Sequence, residues 1–228
     1  MGKPGPLRCS CTHGKLRPSW AWTALGKIGQ RANLHLLNRG DGCQDWDIMA
    51  HDLHHTISLL SRTPTILDAL LRDLPEEWTF RNEGGGTWSA SEVVAHLIYG
   101  ERTDWIPRAK IVLEFGETRT FEPFDRSGHV RESQGKSLGQ LLDEFARARA
   151  ENLDQLRSFN LRPEDLKRRG RHPAFGVVTL SQHLASWAAH DLTHLHQISR
   201  VMAHQYRENV GPFSAYLGVL RCAGHSSP

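Results

Sequence analysis

The sequence predicts an all-α protein: a four-helix bundle with long crossover connections, preceded by a disordered N-terminal extension. Three observations lead there. Apolar residues recur at helical spacing in four separate stretches after residue 49. Three of these stretches open on a capping pair. Strand signals are nearly absent, "FGVVTL" being one short candidate. Four amphipathic helices without an internal repeat bury their apolar stripes most simply against one another.

Residues 1–48 differ from the rest. They are rich in Gly, Pro and Lys/Arg and show no sustained helical period, the composition of a disordered extension. Met49 stands where the helical pattern begins and is a candidate natural start, with the preceding residues a mis-called one. "CSCTH" resembles a metal clip, but Cys9 and Cys11 are too close for the usual C-x₂₋₄-C zinc spacing. "MGKPGP" has Pro6 where myristoylation requires Ser or Thr. "WAWTAL" is shorter than the ~7–15 apolar residues of a secretory signal. Nowhere does an apolar run approach the ~20 residues that span a bilayer, so no membrane partner is expected.

Charge is unevenly placed. The whole chain carries +3, yet residues 1–48 hold seven Lys/Arg against three Asp/Glu, and residues 49–228 hold 21 against 22. The remaining chain is therefore nearly neutral and has no basic patch that would point to nucleic acid. Cys9, Cys11 and Cys43 lie in the extension and Cys222 near the end. A central region without cysteine has no disulfide framework and fits a reducing cytoplasm.

The expected domain runs over residues 49–220, with a tail over 221–228. A short amphipathic piece, "DLHHTISLL", comes first. "TPTILDALLRDLP" follows, with Thr63 as N-cap, Pro64 at the first helical position and Pro75 as a stop. The second helix opens on Ser89 with Glu92 as capping partner. Val93, His96, Leu97, Gly100 and Thr103 trace one face, and Pro107 should kink or end it near Ile106. The third opens on Ser137 with Gln140, and the fourth on Thr179 with Gln182. "GPFSAYLGVL" is a candidate short terminal helix. The connections after the second and third helices run to roughly twenty residues, against ~2–8 in simple bundles, and imply crossovers.

The chemistry concentrates in "WAAHDLTHLHQISRV". His190 and His194 are four apart, which on a helix puts both on one face about 6 Å apart along the axis. Such a pair can reach one metal, or can be two surface or partly buried histidines. His96, between Ala95 and Leu97, takes a core-facing position on another helix. Alone it reads as a core histidine with a local partner. Together, His96, His190 and His194 fit a three-histidine site whose open coordination positions are the catalytic rather than structural pattern. Gly100, Ala188 and Ala189 would leave space nearby. His196 points off this face, and His183 lies about 10 Å further along the axis. His51, His54 and His55 read as surface residues, while His129 and His172 read as loop residues, either of which could line the site mouth. Glu92 and Asp191 are candidate acceptors for second ring nitrogens, with the capping box as the alternative for Glu92 and a surface Arg as the alternative for Asp191; the sequence does not choose. The catalytic base stays unknown.

"TWSASEVVAHL", "GERTDW", "GKSLGQLLDEF" and "GVVTLSQHLASWAAHDLTHLHQI" resemble the DinB/YfiT-like superfamily of metalloenzymes over roughly residues 52–217. "VAHL" and "HDLTHLHQI" are the strongest motifs, and the 94 positions between His96 and His190 also look normal for it. The resemblance implies a crossover four-helix bundle, often a homodimer, with metal ligands at His96, His190 and His194. It also implies a small-molecule substrate. Relatives include S-transferases and an isomerase that depend on a low-molecular-weight thiol, and hydrolases. Some have lost the metal site; here the triad is intact.

The reading that follows is a divalent-metal-dependent transferase using a low-molecular-weight thiol. Zn²⁺ is the first expectation, with Ni, Fe, Mn and Co as alternatives. A hydrolase acting through metal-activated water is the second reading, and a non-catalytic metal- or small-molecule-binding bundle the third. No Ser–His–Asp order or dinucleotide fingerprint competes, and "EGGGTW" lacks the Lys-Ser/Thr ending of a P-loop.

Overall fold

The computed structural model describes residues 51–222. The expected disordered extension over 1–48 with its three cysteines, the candidate start at Met49, and residues 223–228 of the tail lie outside the described residues. Helix α1 (Leu53–Leu60) is capped by the Asp52 carboxylate, which accepts from the backbone N–H groups of His54 and His55. Helix α2 (Thr63–Leu71) follows almost at once. Thr63 is not its N-cap. The chain is already helical at Arg62, whose carbonyl accepts from Ile66 N, so the Thr63 hydroxyl is left for another partner. The helix stops at Leu71, before Pro75, and Asp73 adopts a φ of 61°. A single turn, α3 (Glu76–Thr79), leads onward.

The three expected capping boxes all form, at Ser89/Glu92 for α4 (Ala90–Thr103), Ser137/Gln140 for α7 (Leu138–Ser158) and Thr179/Gln182 for α8 (Leu180–His204). Each is local chemistry, which is why sequence reading finds it. The break expected near Ile106 falls at Asp104 instead, and α5 (Trp105–Phe115) restarts beyond it. Pro107 clashes with the carbonyl four residues back, at Thr103, so the older helix ends there and Pro107 sits harmlessly in the first turn of the new one. Thr103 is exposed rather than on the core face. A short helix, α6 (Gly128–Ser133), lies in the α5–α7 connection. "FGVVTL" does supply a strand: β2 (Gly176–Thr179) pairs antiparallel with β1 (Arg169–His172), Gly170 opposite Val178. "GPFSAYLGVL" forms two 3₁₀ turns, Gly211–Ala215 and Gly218–Leu220, because its glycines and Pro212 interrupt a longer helix.

Two apolar clusters fill the bundle. One takes Leu67, Leu71, Val93, Leu97, Leu141, Phe145, Ile198 and Val201; the other takes Leu60, Trp105, Val112, Leu153, Leu156, Leu180, Leu184 and Trp187. Along α4–α5 and along α7 the chain passes from the first cluster to the second. Along α1–α2 and α8 it passes from the second to the first. Thus α4 and α7 run in the same sense, and the connection between them must travel back the length of the bundle, as its length required. Helices α7 and α8 run in opposite senses, so the second long link is no such crossover; it carries the β1–β2 hairpin.

Two glycines allow this packing. A Cβ on Gly128 would lie 2.3–2.5 Å from the Tyr99 ring, so only glycine lets α6 lie against α4. A Cβ on Gly170 would meet Val112 at 2.7 Å and Phe121 at 3.0 Å, where the hairpin docks on α5. No described helix is long and apolar enough to cross a membrane.

Candidate metal centre

His96 projects from α4, and His190 and His194 from successive turns of α8. Their Nε2 atoms converge: His190 Nε2 lies 3.1 Å from His96 Nε2 and 3.0 Å from His194 Nε2. All three ligand atoms fall within 4.8 Å of one another. Three nitrogens that close cannot all satisfy each other by hydrogen bonding. His194 Nδ1 faces Gln197 Oε1 at 2.8 Å; a carbonyl only accepts, so Nδ1 carries the proton and Nε2 the lone pair. Zinc–nitrogen bonds of about 2.0–2.1 Å would set tetrahedral donors roughly 3.3 Å apart, so the His190–His96 and His190–His194 pairs need open by only a few tenths of an ångström.

The protonation states suit a metal. Burial, with the neighbouring His194 and His129, pushes His96 down to about 3. Burial, with His194, His96 and Arg149, pushes His190 down to about 2. His194 is also lowered by burial, though Gln197 and Asp191 oppose the shift. All three are neutral imidazoles near pH 7, the form that binds metal. Trp88 packs over His96 with ring centroids 4.8 Å apart, and Trp105 meets the His190 ring edge-on at 5.1 Å.

Of the alternatives open to the two carboxylates, both take the one away from the rings, and the Arg that holds Asp191 is buried rather than at the surface. Glu92 Oε2 is held by the Ser89 backbone N–H and hydroxyl of its own capping box. Asp191 turns away from the histidines and accepts both terminal nitrogens of Arg149, at 2.6 and 2.9 Å, and the Thr63 hydroxyl at 2.5 Å. Gln197, which sequence reading missed, is the acceptor for His194; its position three residues further along the same face is the signal. His96 Nδ1 and His190 Nδ1 are buried without a hydrogen-bond partner. Gly100 does not leave empty space, since the Trp105 indole nitrogen lies 3.3 Å from where its Cβ would be.

Beneath the rings runs a buried ionic layer between the two apolar clusters. Arg149 also donates to Glu101 Oε1 at 2.8 Å and to Leu60 O, while Trp187 and Asn152 donate to Glu101. Burial alone would lower the Arg149 pKa, but Glu101 and Asp191 outweigh it and hold the guanidinium above its ordinary value. The sequence signals were a Glu four residues after Leu97 and an Arg four after Phe145, each on an apolar face.

The cluster opens onto a cavity of about 640 Å³ lined by His96, His190, Trp88, Asp104, Arg108 and Phe124, with further residues at its mouth. His172 is among those and belongs to β1 rather than to a loop. His129 belongs to α6 and packs behind Trp88 at 4.4 Å. His183 is buried on Trp105 O, and His196 faces Cys222 Sγ at 3.1 Å; neither joins the cluster. His54 and His55 are exposed as expected, whereas His51 is partly buried between Thr56 and Ser181.

A crossover helical bundle with a buried three-histidine cluster at the floor of an aromatic-walled pocket defines the class. The DinB superfamily matches this chain over residues 59–198, and the chain belongs to that family. Among solved structures it is similar to YfiT from Bacillus subtilis, described as a probable metal-dependent hydrolase with an unusual four-helix bundle topology. The TM-score is 0.60 at 21% identity, covering 70% of this chain and 91% of that one. No curated protein matches the chain.

Proposed function

We propose that this chain is an enzyme that holds one divalent metal ion, Zn²⁺ first among candidates, on His96, His190 and His194, and transfers a low-molecular-weight thiol onto a small-molecule substrate. The observation that carries it is the convergence of three neutral Nε2 atoms, 3.0–3.1 Å apart for the two adjacent pairs, on the floor of a cavity of about 640 Å³. Bound there, the ion supplies a Lewis acid that favours the anionic form of a thiol or water at its open position. Three neutral donors leave its charge uncancelled, and a thiol starting near ~8.5 ionises more readily than water. The chain's own part is to hold the rings. Gln197 fixes the His194 tautomer, Trp88 and Trp105 pack against His96 and His190, and the Arg149–Asp191–Glu101 layer anchors α8 to α4 and α7.

Hydrolysis is the second reading, and Asp104 favours it. Its carboxylate lines the cavity, and burial raises it to about 6 against the opposing charge of Arg108. Arg108 Nη1 lies 2.8 Å from Oδ1 as an ion pair, yet its N–H groups are not aligned on it, so Oδ1 makes no hydrogen bond. Such an oxygen can accept a proton from attacking water.

Cobalt-substituted protein separates the readings. Adding a cellular thiol should raise a sulfur-to-cobalt charge-transfer band that is absent from His96→Ala. A spectrum unmoved by millimolar thiol, with an ester or amide turned over without thiol, would replace the transferase reading by the hydrolase.

A further inference from the structure

A second cavity, of about 200 Å³, adjoins the one over the histidines. Asp104, Arg108, His172 and Phe175 line both. Asp104 and Arg108 lie 2.8 Å apart as an ion pair, so their charges offset each other and neither calls for a charged ligand. Elsewhere the second cavity is walled mainly by Trp105, Phe121 and Val178. An apolar cavity of roughly 150 Å³ takes up benzene, so this one has room for a single ring with a small substituent.

His183 is the second observation. It lines this cavity, is 8% exposed, and packs against Trp105 and Phe121 with ring centroids 5.6 and 6.0 Å away. Its Nε2 lies 2.9 Å from Trp105 O; a carbonyl only accepts, so Nε2 holds the proton and Nδ1 the lone pair. Burial pushes the group down to about 4, so the ring is neutral near pH 7. No described group bonds to Nδ1, yet it is not sealed off from solvent; a buried ring therefore presents an open acceptor to the cavity it lines. The neighbouring polar groups are engaged: Ser186 Oγ donates to Gln182 O, and Gln182 Oε1 accepts from Thr179 N. His190 follows His183 by two turns of α8, about 10 Å along the same face. The Trp105 ring touches both, meeting His190 at 5.1 Å.

We infer that the second cavity is a subsite for a phenol ring, its hydroxyl donating to His183 Nδ1 and its faces packed among Trp105, Phe121 and Val178. The ring is one end of a substrate whose para substituent extends into the cavity over His96 and His190. The placing of the reacting end rests on the reading of the histidine cluster as the reaction site; the phenol subsite does not, since its side chains act without the metal. An acceptor nitrogen distinguishes a phenol from its methyl ether, and aromatic walls distinguish a flat ring from a saturated one.

Titration of the full, metal-free chain with phenol, anisole and cyclohexanol, followed by NMR, tests it. Phenol should bind about fivefold tighter than either of the others, the size of one hydrogen bond or one aromatic contact. It should move the His183 Nδ1 nitrogen resonance upfield as the lone pair accepts, and its ring protons should show Overhauser contacts to the Val178 methyl groups. With 4-butylphenol the ring should keep those contacts while the tail reaches Trp88, which lines the cavity over the histidines but not the second one. His183→Phe should bind phenol no better than anisole; if that variant fails to fold, the resonance and the contacts in the unaltered chain still decide. Anisole or cyclohexanol binding as tightly as phenol overturns the proposal. So does no phenol binding at millimolar concentration, an unmoved Nδ1 resonance, a ring that contacts Trp88 in place of Val178, a tail that never reaches Trp88, or a folded His183→Phe that keeps the phenol preference. Zinc content is measured separately: phenol bound at Val178 in a chain that takes up no zinc would sink the metal reading and leave the subsite standing.

Discussion

Replacing Arg149 with Met should destabilise the bundle by about 3–5 kcal/mol. The side chain is 1% exposed, and its partners Glu101 and Asp191 are 0% and 3% exposed, so none can turn to water. Methionine fills much of the same volume, so the loss is charge compensation rather than packing. Both carboxylates would remain buried. Each keeps some support, Asp191 from Thr63 and Glu101 from Trp187 and Asn152, which holds the cost to that of one broken buried pair. Urea unfolding at pH 7, followed by far-ultraviolet circular dichroism, would measure it. Asp191→Asn should cost much less in the Arg149→Met background than alone, with a coupling above about 1 kcal/mol. An Arg149→Met protein within about 1 kcal/mol of the original, or purely additive double-variant losses, would refute the account of this layer as a mutually dependent ionic unit.

His96→Ala, His190→Ala and His194→Ala should each lose most bound metal while melting cooperatively; full metal occupancy in all three, read by elemental analysis, would sink the ligand assignment. Stability should fall as pH drops. His183 is pushed down to about 4, chiefly by burial, so between its ordinary value of 6.5 and about 4 the unfolded chain binds a proton that the folded one does not. Its contribution is intact above 6.5 and is lost towards 4, about 3 kcal/mol in all; His183→Gln should make thermal melts less steep in pH over that window. Gly128→Ala should cost about 1–3 kcal/mol, as a methyl forced into the Tyr99 ring, and thermal melts would show it.

The capping boxes at Ser89, Ser137 and Thr179, and the shared face of His190 and His194, depend on residues three or four apart. Local geometry decides them, so the sequence alone determined where these helices begin and which rings pair. The short β2 strand was legible for the same reason. Thr63 shows the limit: as a cap it looked complete, but its hydroxyl belongs to Asp191, 128 positions away. Asp191 likewise left His194 and a surface Arg open as partners, and the buried Arg149 on another helix takes it. Nothing in spacing reports that choice, because it is made by which buried charges meet once the helices pack. His96 meets the two α8 histidines only where α4 and α8 pack side by side. The pocket too is a product of packing: hairpin, α5 and α8 contribute Phe175, Arg108 and His190 from distant parts of the chain. Burial in one low-dielectric space then gives the histidines protonation states that no local pattern contains.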